Sequence, residues 1–436
     1  MIASCYKSIG FGEDDVAESV EVEDTDSFVF QNGSDDPNAD PTDVETSPDT
    51  GSEFIDTDSE TVTPVTIPGG VDILIVVDNS ISMGQEQSLL SAAIFTLMNE
   101  LLSPLDGSAG LTSVRVGVTT TDMGLQYGWE RELTAASING CFGMGNDGKM
   151  KAISEYASGI EISNGLIPCS NAATHCPSGF SCDDGVCNAE AGVSTVSCPS
   201  TTGRTSVETT VSIPNTDLAL QAACLINQGI EGCGIEQQLS AATRALTVNP
   251  GFLVEAHHLM VMILTDEDDC SVKDPAFFQT REWVDMSGSH SLQNVACAFP
   301  EENGAYLFTA EEIRNFFIEM KNGNPDAVFY TAIVGVPDVA ECQGAGTTLF
   351  ECFDRPEMEP TVIYPPLEGY ALFAPACTRV ENGEEVTNAV PGWRFVEMAE
   401  LFGDNGSIYS ICRSNWAPFM DEVAERIRIK VEASTL

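Results

Sequence analysis

Asp78, Ser80 and Ser82 place three oxygen-bearing side chains at alternate positions in V-D-I-L-I-V-V-D-N-S-I-S-M-G-Q, residues 71–85. A carboxylate and two hydroxyls, with no thiol or imidazole among them, suit a hard cation such as Mg²⁺. The same residues can also form an ordinary polar turn that caps a helix. The run before them separates the two readings. Ile73 to Val77, with Asp72 ahead, is short, β-branched and almost wholly apolar, as in a strand buried on both faces of a parallel sheet. In an open α/β sheet, ligands bind beyond the carboxyl ends of the strands, which is where Asp78 falls.

A second apolar run, His258–Leu264, ends in Thr265-Asp266-Glu267-Asp268-Asp269. Its acidic end reads as a solvated loop, with a second cation such as Ca²⁺ as the alternative. His257 and His258 are neighbours in this strand and point to opposite faces, so they read as ordinary strand residues. Thr119, Thr120, Thr121 and Asp122 close another strand and line the same rim.

Asp78-Asn79-Ser80-Ile81-Ser82 resembles the D-x-S-x-S signature of von Willebrand factor A domains, the metal-ion-dependent adhesion site. The resemblance covers the folded core, from Val71 to about Ile429, without its two large insertions. It implies a doubly wound, mostly parallel α/β sheet of Rossmann-like form, and it carries the T-D aspartate of the family's fourth strand onto Asp266. It further implies that Ser80 and Ser82 hold Mg²⁺ (or Mn²⁺ or Ca²⁺) directly, that Asp78 and Asp266 assist through water, and that a protein partner offers an acidic side chain to the ion. One position departs from the family. Gly234-Ile235-Glu236 stands where a threonine usually precedes the third helix. Glu236 either supplies a charged oxygen in its place, which would weaken the ion's pull on an acidic partner, or is a first-turn helix acid.

The elements that must position these residues follow from the pattern. Strands are expected at Asp72–Val77, Val114–Thr120, His258–Leu264, Ala327–Val334 and Ser407–Cys412. Helices are expected at Glu86–Leu102, where the apolar spacing reads as amphipathic, and at Asp217–Gln228, Gln237–Leu246, Thr309–Lys321, Arg394–Phe402 and Trp416–Ile429. Thr309 reads as an N-cap with Glu311 and Glu312 behind it. Alternating strands and helices argue for a doubly wound sheet. Two stretches break the pattern, about 122–214 and 337–392, and read as cysteine-rich insertions.

Of 436 residues, 67 are acidic and 18 basic, a net charge of −49. That excludes nucleic acid as a natural partner, since phosphate binding needs Lys and Arg. Fifteen cysteines point to an oxidising compartment and to disulfides rather than zinc. Six fall in the first insertion. Cys224 and Cys233 are close enough to staple a loop to its helix, Cys270 and Cys297 bracket another loop, and four lie in the last third. Each block is even, which leaves Cys5 over.

Residues 1–10 contain Ile2-Ala3-Ser4-Cys5, which is similar to a bacterial lipobox and implies lipidation at Cys5. Residues 11–68 lie in a span with no Lys or Arg between Lys7 and Arg115, an expected disordered acidic tether to the domain at 69–436. No run reaches the roughly 20 apolar residues of a membrane span. There is no G-x-S-x-G elbow, HExxH or phosphate-binding glycine loop. The expectation is a non-catalytic, divalent-metal-dependent binding protein of the bacterial envelope, extracytoplasmic and held to the membrane by its lipid alone. The alternatives are a structural envelope protein whose ion only stabilises the fold and, further off, a hydrolase.

Overall fold

The structure is a computed structural model that describes residues 69–434, except 107–109, 125–140, 142, 154–158, 163, 190–194, 200–204, 209–214, 280–294, 296, 299–304, 347–348 and 364–371. Chain contacts divide the molecule into Met1–Thr63 and Pro64–Leu436. The lipobox, Cys5 and the acidic tether lie outside the described residues.

In chain order the elements are β1 (Gly70–Val77), α1 (Gly84–Leu102), β2 (Ser113–Thr120), β3 (Gly159–Glu161), α2 (Ala172–His175), β4 (Phe180–Asp183), β5 (Val186–Ala189), β6 (Thr195–Ser197) and β7 (Ser206–Glu208). Then come α3 (Asn215–Ile226), α4 (Gln238–Val248), β8 (His257–Leu264), α5 (Ala310–Glu319), β9 (Val328–Val334) and β10 (Gly344–Ala345). The chain continues through β11 (Val362–Ile363), β12 (Leu372–Phe373), β13 (Cys377–Glu381), β14 (Glu384–Ala389), α6 (Trp393–Phe402), β15 (Gly406–Ser410) and α7 (Ala417–Ser434). Among the described residues, seven strands form the main sheet in the order β10-β15-β9-β8-β1-β2-β7. The five central strands are parallel, and only the short edges, β7 and β10, run antiparallel.

β1 lies inside this α/β sheet, between β8 and β2, and both of its faces are apolar. Val71, Ile73, Ile75 and Val77 pack with α1, α3 and α7, whereas Leu74 and Val76 pack with α4, α5 and α6. All eight residues are buried, and each large apolar side chain there contributes about 1.5–3 kcal/mol. α1 departs from the amphipathic expectation. Between α3 and α7 it is buried almost all round, with Gln87, Ser91 and Asn99 enclosed as well as its leucines. The polar side chains survive burial by bonding outward: Ser91 Oγ donates to the Ala223 carbonyl at 3.0 Å, and Asn99 Nδ2 to that of His175 at 2.8 Å. α5 starts as its sequence suggests. Thr309 Oγ1 accepts from Glu312 N while Glu312 Oε2 accepts from Thr309 N, a reciprocal cap.

Seven disulfides join fourteen cysteines. Cys270–Cys297, Cys342–Cys352 and Cys377–Cys412 stay within the expected blocks. The Cys224–Cys233 staple does not form. Cys224 pairs with Cys198 and Cys233 with Cys141, so both reach back into the first insertion. That insertion is also less independent than its composition suggests, because β7 returns to the main sheet beside β2 and Lys151 N donates to the Val118 carbonyl.

Candidate metal centre

β1 pairs with β2 and β8 in a register that ends the three strands level, Val77 opposite both Thr120 and Leu264. The chain leaves β1 for β2 on one side, and β8 lies on the other, so a crevice opens between the loops beyond these ends. Main-chain bonds continue the sheet one step into it. Asp78 N donates to the Leu264 carbonyl at 2.9 Å, and Thr121 N to that of Val77 at 3.1 Å.

The D-x-S-x-S loop is held by its own groups. Ser80 N donates to Asp78 Oδ1 at 2.7 Å, Met83 N to the Ser80 carbonyl at 3.2 Å, and the Ser80 and Ser82 hydroxyls stand 3.1 Å apart. Asp78 Oδ2 accepts from Thr265 Oγ1 at 2.6 Å, so the end of β8 touches the end of β1 through side chains. Gln87 in the first turn of α1 donates to the Asp78 carbonyl at 2.9 Å and to that of Gly229 at 2.8 Å, and accepts from Gln228 N at 2.9 Å. It thereby ties the metal loop to the loop that leads to Glu236. Gly232 N donates to the Asn79 carbonyl, and a Cβ on Gly232 would come within 2.3 Å of Asn79 Oδ1, so any larger residue there would have to displace the Asn79 amide.

Glu236 is fixed from several sides. Its carbonyl accepts from Cys270 N at 2.8 Å. Gln237 Nε2 donates to the Gly124 carbonyl at 3.0 Å, and Cys141–Cys233 anchors the approach. Its side chain is 1% exposed, and neither carboxylate oxygen has a hydrogen-bond donor. Asp266 Oδ1 and the Thr120 and Thr121 hydroxyls are likewise buried and unpartnered. Buried polar atoms without partners are costly unless something absent from the chain satisfies them.

The electrostatics agree. Burial lifts Asp78 above the ordinary carboxylate range, against the pull of Thr265 and Ser80. Asp266 is raised well above that range by burial, then by Asp78 and Glu267, while the facing Ser82 hydroxyl draws it down. Glu236 is raised well above it too, by burial, Glu267, Asp78 and Asp266 in turn. Asp78, Ser80, Ser82, Glu236 and Asp266 therefore share one rim, where the carboxylates repel one another. Carboxylates and hydroxyls are hard oxygen donors, of the kind a divalent cation takes, and a cation beside them would neutralise charge that opposes itself.

Other residues named from the sequence play structural parts. Thr119 donates to the Lys149 carbonyl at 3.2 Å and accepts from Asn146, and Asp122 accepts from Gly124 N. The acidic end of the β8 loop is only partly solvated: Glu267 and Asp268 are half-buried. Asp269 is fully buried, pairs with Arg394 at 2.8 Å and accepts from Leu239 N at the start of α4, while Asp268 accepts from Arg394 N. His257 Nδ1 lies 2.8 Å from Asp72 Oδ1 at the opposite end of β1 from Asp78. Among the described residues, the sulfurs of Cys169, Cys176 and Cys182 come within 4.8 Å of one another. All three are consumed in disulfides, Cys169–Cys182 and Cys176–Cys187, so no thiolate is left for zinc.

Three partners of the centre were missed in sequence. Thr265 and Gln87 carry no signal beyond their neighbourhood. The hairpin β13–β14, which grips the start of α1 through Arg379 and Thr387, announces itself by Asn382-Gly383, the pair that favours a two-residue turn with both φ positive. Those angles are 54° and 88°.

No family model matches the chain, and no curated protein does either. Among solved structures, the pilus adhesin RrgA from Streptococcus pneumoniae aligns at 11% identity with a TM-score of 0.23, over 84% of this chain and 44% of that one. The chain thus spans less than half of that protein, and a likeness this slight carries no argument.

Proposed function

We propose that this chain is a von Willebrand factor A-like, non-catalytic binding protein of the bacterial envelope, which engages a protein partner through a divalent cation, Mg²⁺ or else Mn²⁺ or Ca²⁺. One observation carries the reading. Both carboxylate oxygens of Glu236 and Oδ1 of Asp266 are buried without a donor, near enough to Asp78 for the like charges to raise one another. Access supports binding at this spot: Ser82 is exposed, and Ile81 between the serines is 80% exposed, an apolar contact beside the ion. Of the four histidines, the three among the described residues support a non-catalytic role. His257 is held by Asp72, His175 Nε2 lies 2.9 Å from the Ser103 carbonyl, and His258 adjoins His257 at the far end of β8, so none of the three serves Ser80 or Ser82 as a base. Seven disulfides support an extracytoplasmic place, and the lipobox-like Cys5 supports a membrane anchor.

The depth of Asp78, 0% exposed, favours a second reading in which the ion serves only the fold. Calorimetric titration with Mg²⁺, Mn²⁺ and Ca²⁺ tests the cation itself. The wild type should bind one ion at this centre and Asp78→Ala none, while a wild type that binds no divalent ion ends the proposal. If Asp78→Ala also removes binding to envelope proteins with ion-free melting unchanged, the binding role stands. If it changes melting alone, the structural role replaces it.

A further inference from the structure

The hairpin β13–β14 belongs to the second cysteine-bearing insertion, yet it reaches two of the loops that build the centre. Its base is fixed by Cys377–Cys412 and by Ala376 N donating to the Ala389 carbonyl at 2.8 Å. Directly beyond it, Val390 N donates to the Asp266 carbonyl at 2.9 Å. From its strands, Arg379 and Thr387 descend onto Glu86, in the first turn of α1 and four residues past Ser82. Arg379 Nη2 donates to Glu86 Oε1 at 3.3 Å and to Gln85 Oε1 at 3.2 Å, Nη1 donates to the Arg413 carbonyl at 3.3 Å, and Nε lies 3.2 Å from Glu381 Oε1. The Thr387 hydroxyl donates closely to the same Glu86 oxygen. Glu86 is 1% exposed and Arg379 6%, in a chain with only 18 basic residues.

We propose that Arg379 is a positioning residue for the cation centre, the tip of a disulfide-tied brace that fixes the first turn of α1 and with it the D-x-S-x-S loop. The path is short and wholly built of contacts: Arg379 and Thr387 hold Glu86, and the next residue, Gln87, holds the Asp78 carbonyl. The brace also governs charge. Arg379 pairs with Glu86 at 3.3 Å, so the guanidinium balances a buried carboxylate in the first turn of α1. A buried pair of this kind is weak support for stability, since well-packed apolar residues often replace one without loss. Its fixed geometry is what a neighbouring site uses.

The inference rests on the cation reading above. Removing Arg379 alone leaves Glu86 unbalanced, and that added negative charge would strengthen cation binding while misplacement weakens it. The informative variant is therefore the double Glu86→Leu/Arg379→Met, which leaves the net charge of the pair at zero. Mn²⁺ titration of the full chain should show a dissociation constant raised about tenfold or more, the usual cost of losing an outer partner of a metal site, with the ion-free melting temperature retained. Thr387→Val should give a smaller rise, and it keeps the test open if the double variant does not fold. A Mn²⁺ constant equal to that of the wild type in the folded variant overturns the brace. Asp78→Ala separates the two failures. If it too binds Mn²⁺ like the wild type, the cation reading itself falls; if it loses Mn²⁺ while the brace variants do not, only the brace falls.

Discussion

Thr265 Oγ1 donates to Asp78 Oδ2 across 2.6 Å, joining the ends of β8 and β1 at the centre of the crevice. The bond orients one carboxylate oxygen, while Ser80 N holds the other. Thr265→Val keeps the shape and removes the donor. It should lower stability by about 1–3 kcal/mol, the cost of leaving a buried acceptor without its partner, and weaken divalent-cation binding in the same protein. Denaturant unfolding in chelator and cation titration read the two effects, and a variant that changes neither contradicts the role given to this hydroxyl.

Burial pushes Asp268 up to about 7 in spite of the Arg394 charge beside it. Asp78, Glu236 and Asp266 are raised in the same sense. A carboxyl raised on folding favours its protonated form in the fold, so the stability it contributes is full below the ordinary carboxylate range and is lost as pH rises through the folded value. The ion-free protein should accordingly melt lower at about pH 8 than at about pH 5.5. Mg²⁺ should reverse the trend, because ligation needs ionised carboxylates and competes with protons. Melting curves in chelator and in Mg²⁺ at both pH values decide the point; a melting temperature in chelator that climbs steadily with pH would contradict it.

The Cys141–Cys233 disulfide closes a separation of 92 residues and ends beside the loop that carries Glu236. Replacing both cysteines by serine should cost at most roughly 4–5 kcal/mol, the loop-entropy value for a closure of that length. The effect on cation binding should exceed that of removing Cys342–Cys352, a span of 10 residues outside the centre's loops. Equal effects on cation affinity would argue that Cys141–Cys233 serves only global stability.

Ile75, fully buried in β1, faces the side that holds α1. Ile75→Ala should lose roughly 2–5 kcal/mol, the range for deleting a core aliphatic chain that neighbours cannot fully refill. Urea unfolding measures it, and a loss below 1 kcal/mol, far under the range for such sites, would mean that the core collapses around the cavity.

How far the sequence foretold this structure depends on the range of the interactions. β1 was legible because burial on both faces leaves an apolar run with no alternation. β8 and β9 follow the same rule, and the helix starts after Thr309 and near Gln237 were marked by local chemistry. The pairing of β1 with β8 was legible too, since the two read as neighbours across the switch point. Side-chain partners more than 120 residues apart were not. Arg394 beside Asp269 turned an acidic loop that reads as solvated into a partly buried one, and no local pattern encodes that match. Disulfide pairing was not legible for the same reason: even counts per segment suggest closed blocks, but Cys198 and Cys141 cross them to Cys224 and Cys233. The amphipathic expectation for α1 failed because helices α3 and α7 cover both of its flanks.

The flanks of the main sheet have a consequence of their own. Among the described residues, each outermost strand is short, three residues in β7 and two in β10, laid against the grain of its neighbour and supplied by an excursion between core elements. Long parallel strands left bare would offer a ladder of open amides to any molecule alongside. Stubs of this length offer almost none. The excursions that look like ornament in the sequence therefore also act as end-stops, which keep one sheet from growing into the next where such molecules crowd together.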